Sequence, residues 1–137
     1  MLAKCLANRA EAIPQYRGVL FFDLSLEFSL TVGSSYPVLG MELYRDILQV
    51  LVPDNSDFRR PQWMPSELFD FDRSKLPSSW YFVSYPERSD ARQRGFRARW
   101  GYRQLVESDE HRDGLEALDP HALAIFAAEL AQADGQG

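Results

Sequence analysis

The chain has 137 residues, of which 45% are hydrophobic and 13% aromatic, and its formal net charge is -5 at pH 7. This length is typical of one domain over residues 1–137, and the apolar content excludes a chain that is disordered throughout. Because no stretch of about 20 apolar residues occurs and the first residues lack the apolar core of a secretory signal, we expect a cytoplasmic protein with no membrane partner.

Cysteine and histidine usage indicates neither a disulfide framework nor a metal centre. The single cysteine, Cys5, cannot form an intramolecular disulfide, and we interpret it as a small apolar residue on a helix. The two histidines, His111 and His121, match no zinc-binding spacing. The glycines are dispersed and form no phosphate-binding loop, so we predict no metal and no cofactor.

The first part of the chain is predicted to form a helix and then one long strand. Leucines and alanines before Pro14 indicate a helix over residues 2–12. Residues 18–32 alternate in the period of a β-strand, with one face wholly apolar. That face contains Leu20, Phe22, Leu24, Leu26, Phe28, Leu30 and Val32.

The length of this predicted strand creates a geometric conflict. Fifteen residues at about 3.3 Å each would span about 50 Å, whereas a domain of this size is about 37 Å across. The strand must therefore bend or bulge, or its polar end must project and meet another chain. We favour the bend.

A second helix and a long loop are predicted next. Apolar residues at helical spacing indicate a helix within residues 40–51 that ends at Pro53. Residues 53–78 contain four prolines and scattered charges, which is typical of an irregular connection, and its aromatic residues are expected to pin it to the core.

The last part of the chain is predicted to contain a hairpin and a helix. Residues 79–86 and 95–106 have strand-like aromatic and alternating patterns, and Asp119 followed by Pro120 indicates a helix over residues 120–133. The fold class is therefore α+β, with a small, mostly antiparallel sheet of three to four strands packed by the three helices.

Charge is unevenly distributed along the second half of the chain. Residues 86–103 hold six arginines against two acids, and residues 104–137 hold eight acids against one arginine. Arg97, Arg99 and Arg103 are candidates for an anion site, but the net negative charge makes nucleic acid an improbable ligand. These arginines alternatively form a solvated strand edge or pair with the acids that follow.

The acidic segment is the candidate surface for a protein partner. A cluster of acids can steer a basic partner electrostatically, as small acidic proteins do when they mask basic toxins or nucleases. Our leading hypothesis is a non-enzymatic protein of this inhibitor or immunity kind, whose acidic segment and aromatic loop contact a basic protein. The proposed contact residues are Glu107, Asp109, Glu110, Asp113, Glu116, Trp63 and Phe69.

Two alternatives remain open. Since no nucleophile or acid–base motif is present, we predict no catalytic residue, but a small enzyme could use Asp70 or Asp72 with Arg97 or Arg99 holding an anionic substrate. Such an enzyme requires a deep pocket that joins these groups. The other alternative is a homodimeric structural or adaptor module built on the overlong strand.

Overall fold

The computed structural model describes residues 1–21, 23–71 and 75–136, and within them the fold is α+β with two antiparallel sheets. The strands are β1 (Leu2–Cys5), β2 (Ser35–Pro37), β3 (Gly40–Tyr44), β4 (Ile47–Pro53), β5 (Pro61–Pro65), β6 (Phe69–Phe71), β7 (Tyr81–Ser84) and β8 (Phe96–Gly101). The α-helices are α1 (Asp90–Gln93), α2 (Arg103–Glu107), α3 (Asp109–Glu116) and α4 (Pro120–Gln136). Short 3-10 turns occur at Ala10–Ala12, Pro14–Tyr16 and Ser66–Leu68.

The two sheets differ in size, and helices cover one face of the larger sheet. The smaller sheet has the strand order β2-β1-β6, and the larger has the order β5-β4-β3-β8-β7, so the predicted three to four strands were too few. One core lies between the sheets and includes Ala3, Phe69 and Val50. A second core, with Leu51 and Phe126, joins the opposite face of the larger sheet to helix α4.

The predicted long strand over residues 18–32 is wrong for the residues of this segment that the structure describes. They form turns and two isolated bridges, Arg17 with Phe21 and Arg9 with Glu27. The cause is local, because the Asp23 carboxylate accepts the backbone N–H of Ser25 at 2.9 Å and the Asp23 carbonyl accepts that of Leu26. This side-chain turn competes with extended backbone, so the alternation does not produce a ladder.

The predicted helix over residues 2–12 is also wrong. Its first part is the strand β1, in which Ala3 and Cys5 are buried and Leu2 and Lys4 are exposed. Strand β1 lies at the centre of the smaller sheet, between β2 and β6. Cys5 is buried as a small apolar residue, but on a strand rather than on a helix.

The predicted helix over residues 40–51 is instead the hairpin of β3 and β4. Tyr44 pairs with Ile47 across a two-residue turn, in which Arg45 has a φ of 53°. The apolar residues at helical spacing also fit strands buried on both faces, and β-branched Val50 and Val52 favour the strand. The loop predicted over residues 53–78 likewise contains β5 and β6.

The hairpin near the end of the chain and the last helix are confirmed. Strands β7 and β8 pair antiparallel, with Phe82 opposite Trp100, although β8 ends at Gly101 and residues 103–107 form helix α2. Helix α4 begins at Pro120, where the Asp119 carboxylate accepts the backbone N–H of Ala122 at 3.1 Å.

Gly40 allows helix α2 to pack closely on the larger sheet. A Cβ atom at Gly40 would lie 2.9 Å from the Trp100 carbonyl oxygen and closer still to the Leu105 side chain. We expect Gly40→Ala to lower the free energy of unfolding by about 1–3 kcal/mol, measured by urea denaturation. In a Leu105→Ala background the same change should cost less, and an equal cost in both backgrounds would contradict this packing account.

Candidate functional site

A buried ion network joins the larger sheet to helix α3. Glu42 on β3 lies directly opposite Arg99 on β8, and the exposed fractions of these residues are 0% and 1%. Arg99 donates from Nε to the Glu42 carboxylate at 3.3 Å, and Arg112 of α3 donates from Nε and Nη2 at 3.1 and 2.6 Å. One fully buried carboxylate therefore accepts hydrogen bonds from two guanidinium groups.

A β-bulge directs Arg99 into this network. In the pairing of β3 with β8, Leu43 is opposite Ala98 and Tyr44 is opposite Phe96, so Arg97 is an extra residue. A regular strand would place Arg97 and Arg99 on the same face. The bulge instead leaves Arg97 exposed, 3.7 Å from Asp46, while Arg99 is buried.

Phe96 provides the apolar surface on which the arginines of the network stack. The guanidinium carbons of Arg112, Arg99 and Arg94 lie 4.5, 5.3 and 5.3 Å from the centre of its ring. Such cation–π contacts are stronger where water is excluded. The ring thus covers part of the two buried guanidinium groups, those of Arg99 and Arg112, and of the exposed Arg94.

The predicted acidic segment is helical, and much of its charge is compensated by the arginines. Arg99 reaches Asp109 at 3.1 Å, Arg112 reaches Glu116 at 2.7 Å, and Arg103 reaches Glu107 at 2.9 Å. Arg94 donates to Asp113 with both terminal nitrogens, and this hydrogen bonding lowers the pKa of the Asp113 carboxyl. Pairing of the arginine stripe with these acids was one of the sequence-based alternatives.

The other sequence-predicted site residues are scattered. Trp63 is half-buried under the guanidinium of Arg112, whose carbon lies 5.5 Å from its ring, and Phe69 is only 5% exposed in the core between the sheets. Asp70 on β6 lies opposite Lys4 on β1 in the register of the smaller sheet. Asp72 lies outside the described residues. Glu110 is exposed on α3.

A buried tyrosine–histidine pair lies beside helix α3. The Tyr102 hydroxyl and His111 Nε2 form a hydrogen bond, and Nδ1 of His111 has no partner among the described residues. Burial and the neighbouring His121 lower the pKa of His111. Burial also raises the pKa of Tyr102, so both side chains are held in their neutral forms near pH 7.

Strand β7 forms an exposed edge of the larger sheet that the sequence did not identify as a site. Tyr81 and Phe82 are 46% and 57% exposed, and the Phe82 ring lies 5.0 Å from that of Trp100. In the sequence, the feature that could have indicated this edge is the aromatic run from Trp80 to Phe82, which puts apolar residues on both faces of the strand. That pattern also fits a covered strand, so it did not distinguish an exposed edge from a buried one.

Two cavities open near these features. One of about 450 Å³ lies between α4, the start of β7 and the start of α2. Another of about 330 Å³ borders the ion network at Glu42, Gln49 and Arg112. Neither cavity is lined by Asp70, Arg97 or Arg99, the residues that the enzyme hypothesis joins.

Comparison of the chain with protein-family models, curated proteins and solved structures finds no match in any of the three. Among the described residues, no group of three or more His, Cys, Asp or Glu side chains could hold a metal ion. Within that same part of the chain, no helix is long and apolar enough to cross a membrane.

Loss of the charge on Glu42 should destabilise the fold. Glu42→Gln removes the buried carboxylate that Arg99 and Arg112 share and leaves each with one half-exposed partner, Asp109 or Glu116. We expect it to lower the free energy of unfolding by up to about 3–5 kcal/mol in urea denaturation. The matched control is Asp113→Asn, which breaks a half-exposed pair and should cost no more than about 1 kcal/mol. Equal costs for the two variants would contradict a central role for Glu42.

His111 should make stability depend on pH. Its pKa is lower in the folded protein than the ordinary value of about 6.5, so the unfolded chain binds the proton first as pH falls. We therefore expect the free energy of unfolding to decrease between about pH 7.5 and 5.5 in wild type, and this decrease should become smaller in His111→Gln. His121→Gln is the control, because His121 is exposed, and it should keep most of the decrease.

Proposed function

We propose that this protein is a non-enzymatic protein-binding module of the inhibitor or immunity kind, which docks a basic protein on the free edge of the larger sheet. The observation that carries the proposal is β7, an edge strand that exposes two aromatic side chains. Aromatic residues dominate binding energies at protein interfaces, and an exposed strand edge accepts a partner strand by backbone hydrogen bonds.

On its outer side, the backbone of β7 has N–H groups that bond to no other described residue. Tyr85 donates its backbone N–H to the Arg97 carbonyl at 2.9 Å, so this N–H points towards β8. Because N–H groups alternate in direction along an antiparallel strand, those of Phe82 and Ser84 point to the free edge. The opposite edge, β5, begins and ends with proline, which discourages strand addition, whereas β7 contains no proline.

Acidic residues border this edge. The Tyr85 hydroxyl, one residue beyond β7, donates to Asp109 at 3.4 Å, so the start of helix α3 lies beside the end of the strand. Glu107 and Glu110 are exposed on either side of Asp109. This rim of carboxylates supports a basic partner, since complementary charge at an interface border speeds association.

The structure changes which residues we assign to the contact. Phe69 is buried and Trp63 stacks on Arg112, so Tyr81 and Phe82 replace them as the aromatic anchors. Glu107, Asp109, Asp113 and Glu116 each face an arginine of the same chain, so Glu110 is the acid of this rim that has no ion pair with another described residue.

The test uses an outward-pointing backbone N–H. The tagged protein captures its partner from the native host, and the affinity of that partner is then measured with purified variants. Ser84→Pro removes an N–H that a partner strand would bind, yet it breaks no bond to β8. We expect it to weaken binding at least tenfold, whereas the control Ser84→Ala should bind as wild type does.

A second matched pair tests the aromatic anchor. Phe82→Ser should weaken binding, and Phe58→Ser, which changes a similarly exposed phenylalanine stacked on Tyr36, should not. Equal binding by Ser84→Pro and Ser84→Ala would contradict docking on β7. Light scattering that shows a homodimer dissociated by Ser84→Pro would instead assign this edge to a second copy of the chain.

A further inference from the structure

The cavity of about 450 Å³ has the size and composition of a small-molecule site. It lies between helix α4 and the start of β7, and small-molecule pockets are about 300–1,000 Å³. Its lining includes the apolar residues Val38 and Leu39, which are almost fully buried, and the aromatic residues Trp80 and Tyr81. Such a lining fits the aliphatic or aromatic body of a small ligand.

One carboxylate in the cavity forms no ion pair with another described residue. Glu129 of helix α4 lines the cavity and is half-buried, and burial raises the pKa of its carboxyl. Among the described residues, no hydrogen bond or ion pair offsets this effect of burial. A partly desolvated carboxylate in this state gains from a ligand that brings a positive charge.

Two cations line the same cavity. Arg103 and Lys75 are both exposed and contribute to its wall. The hydrogen bonds of Arg103 to other described residues use only Nε, which donates to Glu107 at 2.9 Å. Because a guanidinium has five N–H donors, its terminal nitrogens can bind a carboxylate of a ligand while the surface pair with Glu107 remains.

We propose that this cavity binds a free α-amino acid with an apolar side chain. The ammonium group of the ligand pairs with Glu129, its carboxylate pairs with Arg103 and Lys75, and its side chain packs on Trp80 and Leu39. A purely cationic ligand would leave the two basic residues opposed to it, and a purely anionic ligand would leave Glu129 opposed. This inference does not rest on protein binding at β7, although the two sites share Tyr81.

Three related probes test the proposal. L-phenylalanine carries both charges, phenethylamine lacks the carboxylate, and 3-phenylpropanoate lacks the ammonium group. Binding is measured by titration calorimetry and by the change in tryptophan fluorescence, to which Trp80 in the cavity lining contributes. We expect L-phenylalanine to bind at least tenfold more tightly than either of the other two compounds.

Two variants assign the charges. Glu129→Gln should abolish the preference for L-phenylalanine over 3-phenylpropanoate, and Arg103→Gln should reduce its preference over phenethylamine. Glu11→Gln, which removes an exposed carboxylate outside the cavity, should change neither. No binding of L-phenylalanine at millimolar concentration, or equal binding of all three compounds, would overturn the proposal, as would stronger binding of either singly charged compound.

Discussion

The burial of the Glu42 carboxylate is the interaction on which the packing of helix α3 depends. Removing a carboxylate from water costs several kcal/mol, and here two guanidinium groups from different elements offset that cost. Arg99 brings strand β8 and Arg112 brings helix α3 to the same carboxylate oxygen, Oε2 of Glu42. The network therefore specifies where the helix sits on the sheet, which an apolar contact of the same area would do less strictly.

The elements that could be predicted from the sequence are those whose boundaries or strand character depend on residues close together in the chain. Helix α4 was predictable because Asp119 and Pro120 mark its start, and the β7–β8 hairpin was predictable because aromatic and alternating residues occur on both strands. The strand over residues 18–32 was wrong because a side-chain turn at Asp23 overrides a perfect alternation. The β3–β4 hairpin was missed because its apolar spacing fits a helix equally well.

The candidate sites were only partly predictable, for a similar reason. Opposite charges close in sequence suggested that Arg97, Arg99 and Arg103 pair with the acids that follow them, and the structure pairs Arg99 and Arg103 in this way, whereas Arg97 lies near Asp46. Glu42 gave no such signal, since its partners are 57 and 70 residues away. The exposure of β7 depends on the order of strands in the sheet, and the cavity at Glu129 depends on how α4 lies beside it; neither is encoded in a local pattern.

Because of the bulge at Arg97, strand β8 should tolerate the deletion of Arg97 better than the deletion of its neighbour Ala98. A chain that lacked Arg97 would have a regular strand in which Phe96 and Arg99 kept their present faces. A chain that lacked Ala98 would also have a regular strand, but Arg97 would then occupy the buried position of that alanine. Two neighbouring deletions of equal length would thus differ by the free energy of burying one unpaired guanidinium.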